Sequence, residues 1–112
     1  MGRISGDILR GHIDTVVLAA LEAREAYGYE IMQRLNSEGK GVFAMKEGTL
    51  YPVLYRLEDK GWLATRWESE DVPRKGPRRR LYRLTAKGKK QLAKYRNEWR
   101  QFVHVMGRIV EA

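Results

Sequence analysis

Cysteine is absent from this chain, and histidine occurs only twice, as His12 and His104. These absences exclude a disulfide framework and a thiolate metal site, and two isolated imidazoles do not make a zinc centre, so no metal site is expected. No stretch approaches the ~18 apolar residues of a membrane span. The opening MGRISGDILRG also lacks the apolar core of a secretory signal. The expected location is therefore the cytoplasm, with no membrane partner. There is no glycine-rich phosphate loop, paired carboxylate or histidine-centred constellation, and Glu22, Glu25, Glu30, Glu58 and Asp59 are scattered as helix-surface charges. Neither an enzymatic activity nor a cofactor is expected. Internal repeats, low-complexity tracts and flexible linkers are missing too.

Acidic residues are in deficit: 14 Asp and Glu stand against 22 Lys and Arg, giving a formal charge of +8 and a pI near 10.0. This exceeds what solubility requires and points to a polyanionic partner. The excess is concentrated, because Arg74 to Lys94 holds ten basic residues and no acidic one. At 112 residues the chain suits one small domain that buries only about two-thirds of its unfolded surface, so its stability leans on a partner chain.

Apolar residues at helical spacing (Ile13, Val16, Val17, Ala20, Leu21) predict a first helix from Gly11 through the alanine-rich stretch ending at Ala23. Tyr27-Gly28-Tyr29-Glu30 opens a second helix with Ile31 and Leu35 inward, running to a loop between Asn36 and Gly41. Val42 and Phe43 beyond it are expected to fold back onto the core. A third helix begins near Glu47 to Thr49, with Thr49 as a cap and Pro52 in the first turn, where its missing N–H costs nothing. Leu50, Val53, Leu54 and Leu57 form its apolar stripe, which leaves Gly48, Thr49, Pro52, Tyr55, Arg56 and Asp59 on the opposite face and Tyr51 on the flank. Trp62–Ser69 and Arg79–Thr85 alternate as two strands, joined by an irregular tip containing Pro73, Gly76 and Pro77. After Thr85, a plausible N-cap, Leu92, Tyr95, Trp99, Phe102, Met106 and Ile109 recur at spacings of 3, 4, 3, 4 and 3. This heptad seam has nothing left in so small a domain to cover it, so it is expected to pair with its copy in a homodimer.

Three helices followed by a two-stranded ribbon is the order of a winged helix-turn-helix, in which the third helix enters the major groove and the ribbon grips neighbouring backbone. The expected fold class is therefore α+β, mainly α: a winged helix-turn-helix with a two-stranded wing and a long C-terminal dimerisation helix. Residues 1–85 form the DNA-binding domain and 86–112 the dimerisation helix. The competing account is a small α+β domain whose basic face is merely solvated. Tyr55 and Arg56 lie on the exposed face of the reading helix, with Lys46 just ahead of it and Tyr51 balanced between burial and exposure. Lys75, Arg78, Arg79 and Arg80 are suited to phosphate contact at the wing, although basic residues also protect strand edges. Tyr95, Trp99 and Phe102 are dimer core first. A tryptophan facing its symmetry mate also leaves a flat slot for a planar ligand.

The blocks YGYEIMQRL, EGTLYPVLYRLEDKGWL and GPRRRLYRLTAKGKKQL resemble the PadR family of winged-helix transcriptional regulators over nearly the whole chain. The short single C-terminal helix is similar to the compact, multidrug-binding, LmrR-like branch. The resemblance implies a homodimer that represses a promoter and releases double-stranded DNA when a phenolic or flat aromatic effector binds. It carries DNA contacts to Tyr29, Thr49, Tyr51, Arg78 and Arg79. The ligand slot falls on Trp99, flanked by Ile8 and Thr15. Phe102, bulkier than the pattern, and His12 with Asp14 depart from it and leave the ligand class open. A dimer of this kind reads a rough palindrome with half-sites about 34 Å apart. An architectural, ligand-independent DNA binder and a module docking an acidic protein are the alternatives.

Overall fold

Val17, Leu18 and Leu21 are sealed from solvent at 0–2% exposure, and the protein is built around them. The computed structural model describes residues 4, 6–40, 44–71 and 76–112. A single turn, α1 (Gly6–Leu9), precedes α2 (Ile13–Ala20). The first helix is thus shorter than the periodicity predicts. The chain turns at Arg10–His12 instead of running straight from Gly11, and at the far end the Arg34 guanidinium donates to the carbonyls of Ala20 (3.0 Å) and Arg24 (3.2 Å). Those bonds satisfy carbonyls that would otherwise invite another helical turn.

Strand β1 (Ala26–Tyr27) leads directly into α3 (Gly28–Gly39), where the Tyr27 N–H donates to the Glu30 carboxylate at 3.3 Å. The helix ends on Lys40 in the left-handed region at φ 47°. Gly39, which precedes it, stays helical, so the left-handed position falls on a lysine. The expectation for Val42 and Phe43 lies outside the described residues. Met45, just beyond them, is buried, and its N–H donates to the Asn36 side chain at 2.8 Å.

Helix α4 (Glu47–Asp59) starts earlier than the capping argument places it. Lys46 is its N-cap, and the Lys46 carbonyl accepts from Thr49 and Leu50 at 3.1 and 2.9 Å. Thr49 is therefore inside the helix, and Pro52 falls in the second turn instead of the first. A proline there deprives the Gly48 carbonyl of its usual helical donor, a loss tolerated because that side of the helix faces solvent. The opposite stripe of Leu50, Val53, Leu54 and Leu57 is buried as expected, at 0–4% exposure. Each such side chain stabilises the fold by roughly 1.5–3 kcal/mol.

The wing consists of β2 (Leu63–Trp67) and β3 (Arg80–Leu84), paired antiparallel from Leu63↔Leu84 to Trp67↔Arg80. The two-stranded wing is part of a larger sheet, because β1 adds a third strand through Ala26↔Tyr82 and Tyr27↔Leu81, making the order β1-β3-β2. A strand of two residues is too short to show a period and exists only because β3 is there to pair with it.

Helix α5 (Ala86–Val110) follows, with Thr85 accepting from the Gly88 N–H at 3.0 Å and donating to the Gly61 carbonyl at 2.7 Å. Its 25 residues span about 37 Å. The heptad seam divides along this length. Leu92 is 2% exposed inside the chain's own core, and Tyr95 packs edge-on against Trp62 at 5.9 Å. Leu92 is therefore unavailable to a partner, a correction to the unbroken seam: α2 and β3 already cover that end of the helix. From Trp99 onward, Phe102, Val103, Met106, Ile109 and Val110 are all exposed. No helix among the described residues is long and apolar enough to cross a membrane.

Candidate nucleic-acid interface

Burying the leucine stripe of α4 turns the opposite face outward, so Lys46, Glu47, Gly48, Thr49, Pro52, Tyr55, Arg56 and Asp59 are exposed. Tyr51, on the boundary, is half-buried. Its ring lies on the bare α-carbon of Gly28 at the start of α3, where an added Cβ would stand 2.6 Å from Cζ. Burial pushes the Tyr51 phenol up, helped by Glu47 and Tyr55. Tyr55, half exposed, is 6.1 Å from Tyr51 between ring centroids, so the two rings lie side by side along one edge of the helix.

Arg56 is in a different situation. Its guanidinium is ion-paired with Asp14 of α2. The pair fastens the last turn of α4 to the body of the domain, and Asp14, unlike His12, does not line the groove.

The two faces of the wing carry different groups. On one, Arg79 lays its guanidinium 4.2 Å over the Tyr27 ring, and Tyr27 in turn stacks with Tyr29 at 6.3 Å. The third strand thereby gathers Arg79 and Tyr29, which are 50 positions apart in the chain, into one exposed cluster at the start of α3. Tyr27 was not anticipated as a member; in the sequence it reads only as a helix opener. On the same face Arg66 is held by Glu25, with Nε donating to Oε2 at 3.0 Å. That hydrogen bond pulls the Glu25 carboxyl below its ordinary range and pushes the guanidinium up.

On the other face Arg80 donates to Glu58 of α4 at 2.9 Å and to Thr65 at 3.0 Å, and Thr65 donates to the same carboxylate at 3.1 Å. Arg80 therefore ties wing to reading helix. Arg78 nearer the tip is exposed and shares Glu70 at 3.2 Å, a surface pair that a phosphate can replace. Lys75 lies outside the described residues. Beyond the wing, Lys87, Lys89, Lys90 and Lys94 of α5 are all exposed.

A second site lies between α1, α2 and α5. A groove of about 570 Å³ is lined by Ile4, Ile8, Thr15, Val16, Trp99 and Phe102, among others. It thus brings together the four residues expected at a ligand slot: Ile8, Thr15, Trp99 and Phe102. His12 completes an aromatic cluster, edge-on to Trp99 at 5.1 Å and tilted to Phe102 at 5.8 Å, while Trp99 and Phe102 stack at 6.1 Å. Arg96 at its rim is held by Glu22 through two bonds of 2.9 Å. The donation from Arg96 pulls the Glu22 carboxyl below its ordinary range. The groove is almost wholly apolar and continues onto the exposed half of α5.

A model described as the transcriptional regulator PadR-like family matches residues 17–94. An uncharacterized protein from Lysinibacillus sphaericus is 34% identical over 108 residues, covering 96% of each chain. Among solved structures, a transcriptional regulator from Clostridium thermocellum is 31% identical with a TM-score of 0.82, covering 94% of this chain and 99% of its own. A PadR family transcription regulator from Clostridium difficile is 35% identical with a TM-score of 0.76, covering 89% and 99% respectively.

Proposed function

The chain belongs to the transcriptional regulator PadR-like family, and from that premise we propose a homodimeric repressor whose grip on a palindromic operator is released by a planar aromatic or phenolic effector. A DNA-binding transcriptional regulator, not an enzyme, is the activity of the family. The dimer, the repression and the effector are the further reading.

The observation that carries it is the division of α5. Its first turns are spent on the chain's own core, whereas Trp99, Phe102, Met106 and Ile109 form an exposed apolar face continuous with the groove beside α2. A symmetric copy of the same helix covers such a face with matching chemistry. In that arrangement residues 1–85 are the reading unit and 86–112 the spacer that sets the distance between two α4 helices. Tyr29, Lys46, Thr49, Tyr51 and Tyr55 address the duplex, while Arg78, Arg79 and Lys75 hold its backbone. Arg56 contributes by anchoring α4 to Asp14.

Helix α2 links the groove to the reader. His12, Thr15 and Val16 face the groove, Val17 and Leu18 lie in the core with the leucines of α4, and Asp14 holds Arg56. A ligand wedged against Trp99 and Phe102 displaces α2 or α5, and the separation of the two readers changes. The size of the effect is set by how differently the ligand binds the two arrangements.

A band-shift titration on the protein's own upstream region, against shuffled duplex at two salt concentrations, tests the operator reading. Preference for the upstream duplex is expected, and equal affinity for both would sink it in favour of an architectural binder. For the effector, planar aromatic compounds are titrated while tryptophan emission is followed, with Trp99→Ala as control. Quenching no greater than in that variant leaves Trp99 as dimer core alone.

A further inference from the structure

The wing carries one large apolar side chain that neither the core nor the groove uses. Trp67 closes β2 at 55% exposure. The ladder explains why. Leu63↔Leu84, Thr65↔Tyr82 and Trp67↔Arg80 are successive pairs on one face of the ribbon. The first two lie over the core, where Leu63 and Tyr82 are each 2% exposed. The third pair overhangs it.

On this overhang the indole has cationic company. Arg80 stands directly across the ladder, and the Arg78 guanidinium is 5.8 Å from the ring centroid. Because Arg80 also bonds Glu58, this is the face of the wing tied to the reading helix. Glu68, the next residue, falls on the opposite face by strand alternation. An exposed indole beside the Arg78 guanidinium, on the reading-helix side of a basic ribbon, matches a nucleic-acid duplex. Such a duplex offers phosphates for the cations and the apolar faces of sugars and base edges for the ring.

We infer that Trp67 is a DNA contact of the wing, packing against the sugars and groove wall of the duplex while Arg78 holds the adjoining phosphate. The inference rests on the DNA-binding reading of this same surface. It adds to the wing's ionic contacts one that releases no counterions and is therefore insensitive to salt.

Trp67→Ala and Trp67→Phe are titrated against the duplex that the wild type binds best, over a range of salt concentrations, after circular dichroism and sedimentation have established that fold and association state are unchanged. Trp67→Ala is expected to bind about tenfold more weakly with an unchanged slope of log K against log salt, and Trp67→Phe to recover most of the loss. Arg78→Ala is the contrasting case, its slope shallower by about one. In addition, DNA is expected to quench a component of wild-type emission that is missing from Trp67→Phe. This readout serves even if the alanine variant fails to fold. Wild-type affinity in Trp67→Ala, or identical quenching in the wild type and Trp67→Phe, overturns the inference. A wild type that binds no duplex at all overturns the DNA reading, and the inference with it, so the two failures are told apart.

Discussion

The ring of Tyr51 rests on the backbone of Gly28, joining the second turn of the reading helix to the first residue of the helix before it. A methyl group at position 28 has no room, since its nearest neighbours are the phenol oxygen and Cζ of a ring already half-buried. Gly28→Ala is expected to destabilise the fold by roughly 1–3 kcal/mol and to swing Tyr51 out of place. Thermal melts of Gly28→Ala and of Gly28→Ala with Tyr51→Phe check this. Removing the oxygen is expected to recover part of the loss, and two equal melting temperatures would show that the clash is not with Tyr51.

Arg79 depends on Tyr27 for its position in the wing. Arg79→Ala is expected to weaken binding to operator and random duplex alike and to make the salt dependence shallower by about one. Tyr27→Leu keeps β1 apolar but removes the ring under the guanidinium, a contact worth about 0.5–1 kcal/mol. It should reduce DNA affinity a few-fold although Tyr27 is not itself placed on the duplex. An unchanged affinity would separate Arg79 from its platform.

The two halves of the α5 seam predict opposite phenotypes. Ile109→Glu, on the exposed half, is expected to shift sedimentation from dimer to monomer while leaving the reading domain folded. Leu92→Ala, in the intrachain core, should lower stability by about 2–5 kcal/mol without acting on association first. A monomeric Leu92→Ala that melts like the wild type would contradict this division.

Tyr82 gives the stability an alkaline limit. Burial pushes its phenol from 10.0 up to about 12. The unfolded chain therefore ionises first, and the contribution of this group, intact below pH 10, is lost as pH rises toward 12. Denaturant titrations at pH 9 to 12 are expected to show a steeper fall for the wild type than for Tyr82→Phe. Parallel curves would mean that the phenol ionises without opening the core.

Much of this architecture is legible in the residues. The leucines of α4 recur so regularly that the buried and exposed faces follow from spacing, and the exposed face of Thr49, Pro52 and Tyr55 is the one the periodicity points to. Helix boundaries are less legible. Thr49 looks like a cap by composition, but the Lys46 carbonyl begins the helix earlier, since a helix start depends on which backbone groups find partners.

What the sequence by itself determined is periodic or compositional: the order of helices and ribbon, the basic stretch from Arg74 to Lys94, and a C-terminal helix with one apolar seam. These properties are local, and each is repeated over enough residues to stand above chance. The tertiary structure alone decided the pairings between distant positions. Only β3 makes a strand of Ala26–Tyr27, only the fold brings Asp14 to Arg56 and Arg79 to Tyr27, and only the packing of α2 and Trp62 shows where the seam stops serving the core. Contacts of this kind leave no period in the chain, because they are chosen when separate elements compete to cover one another.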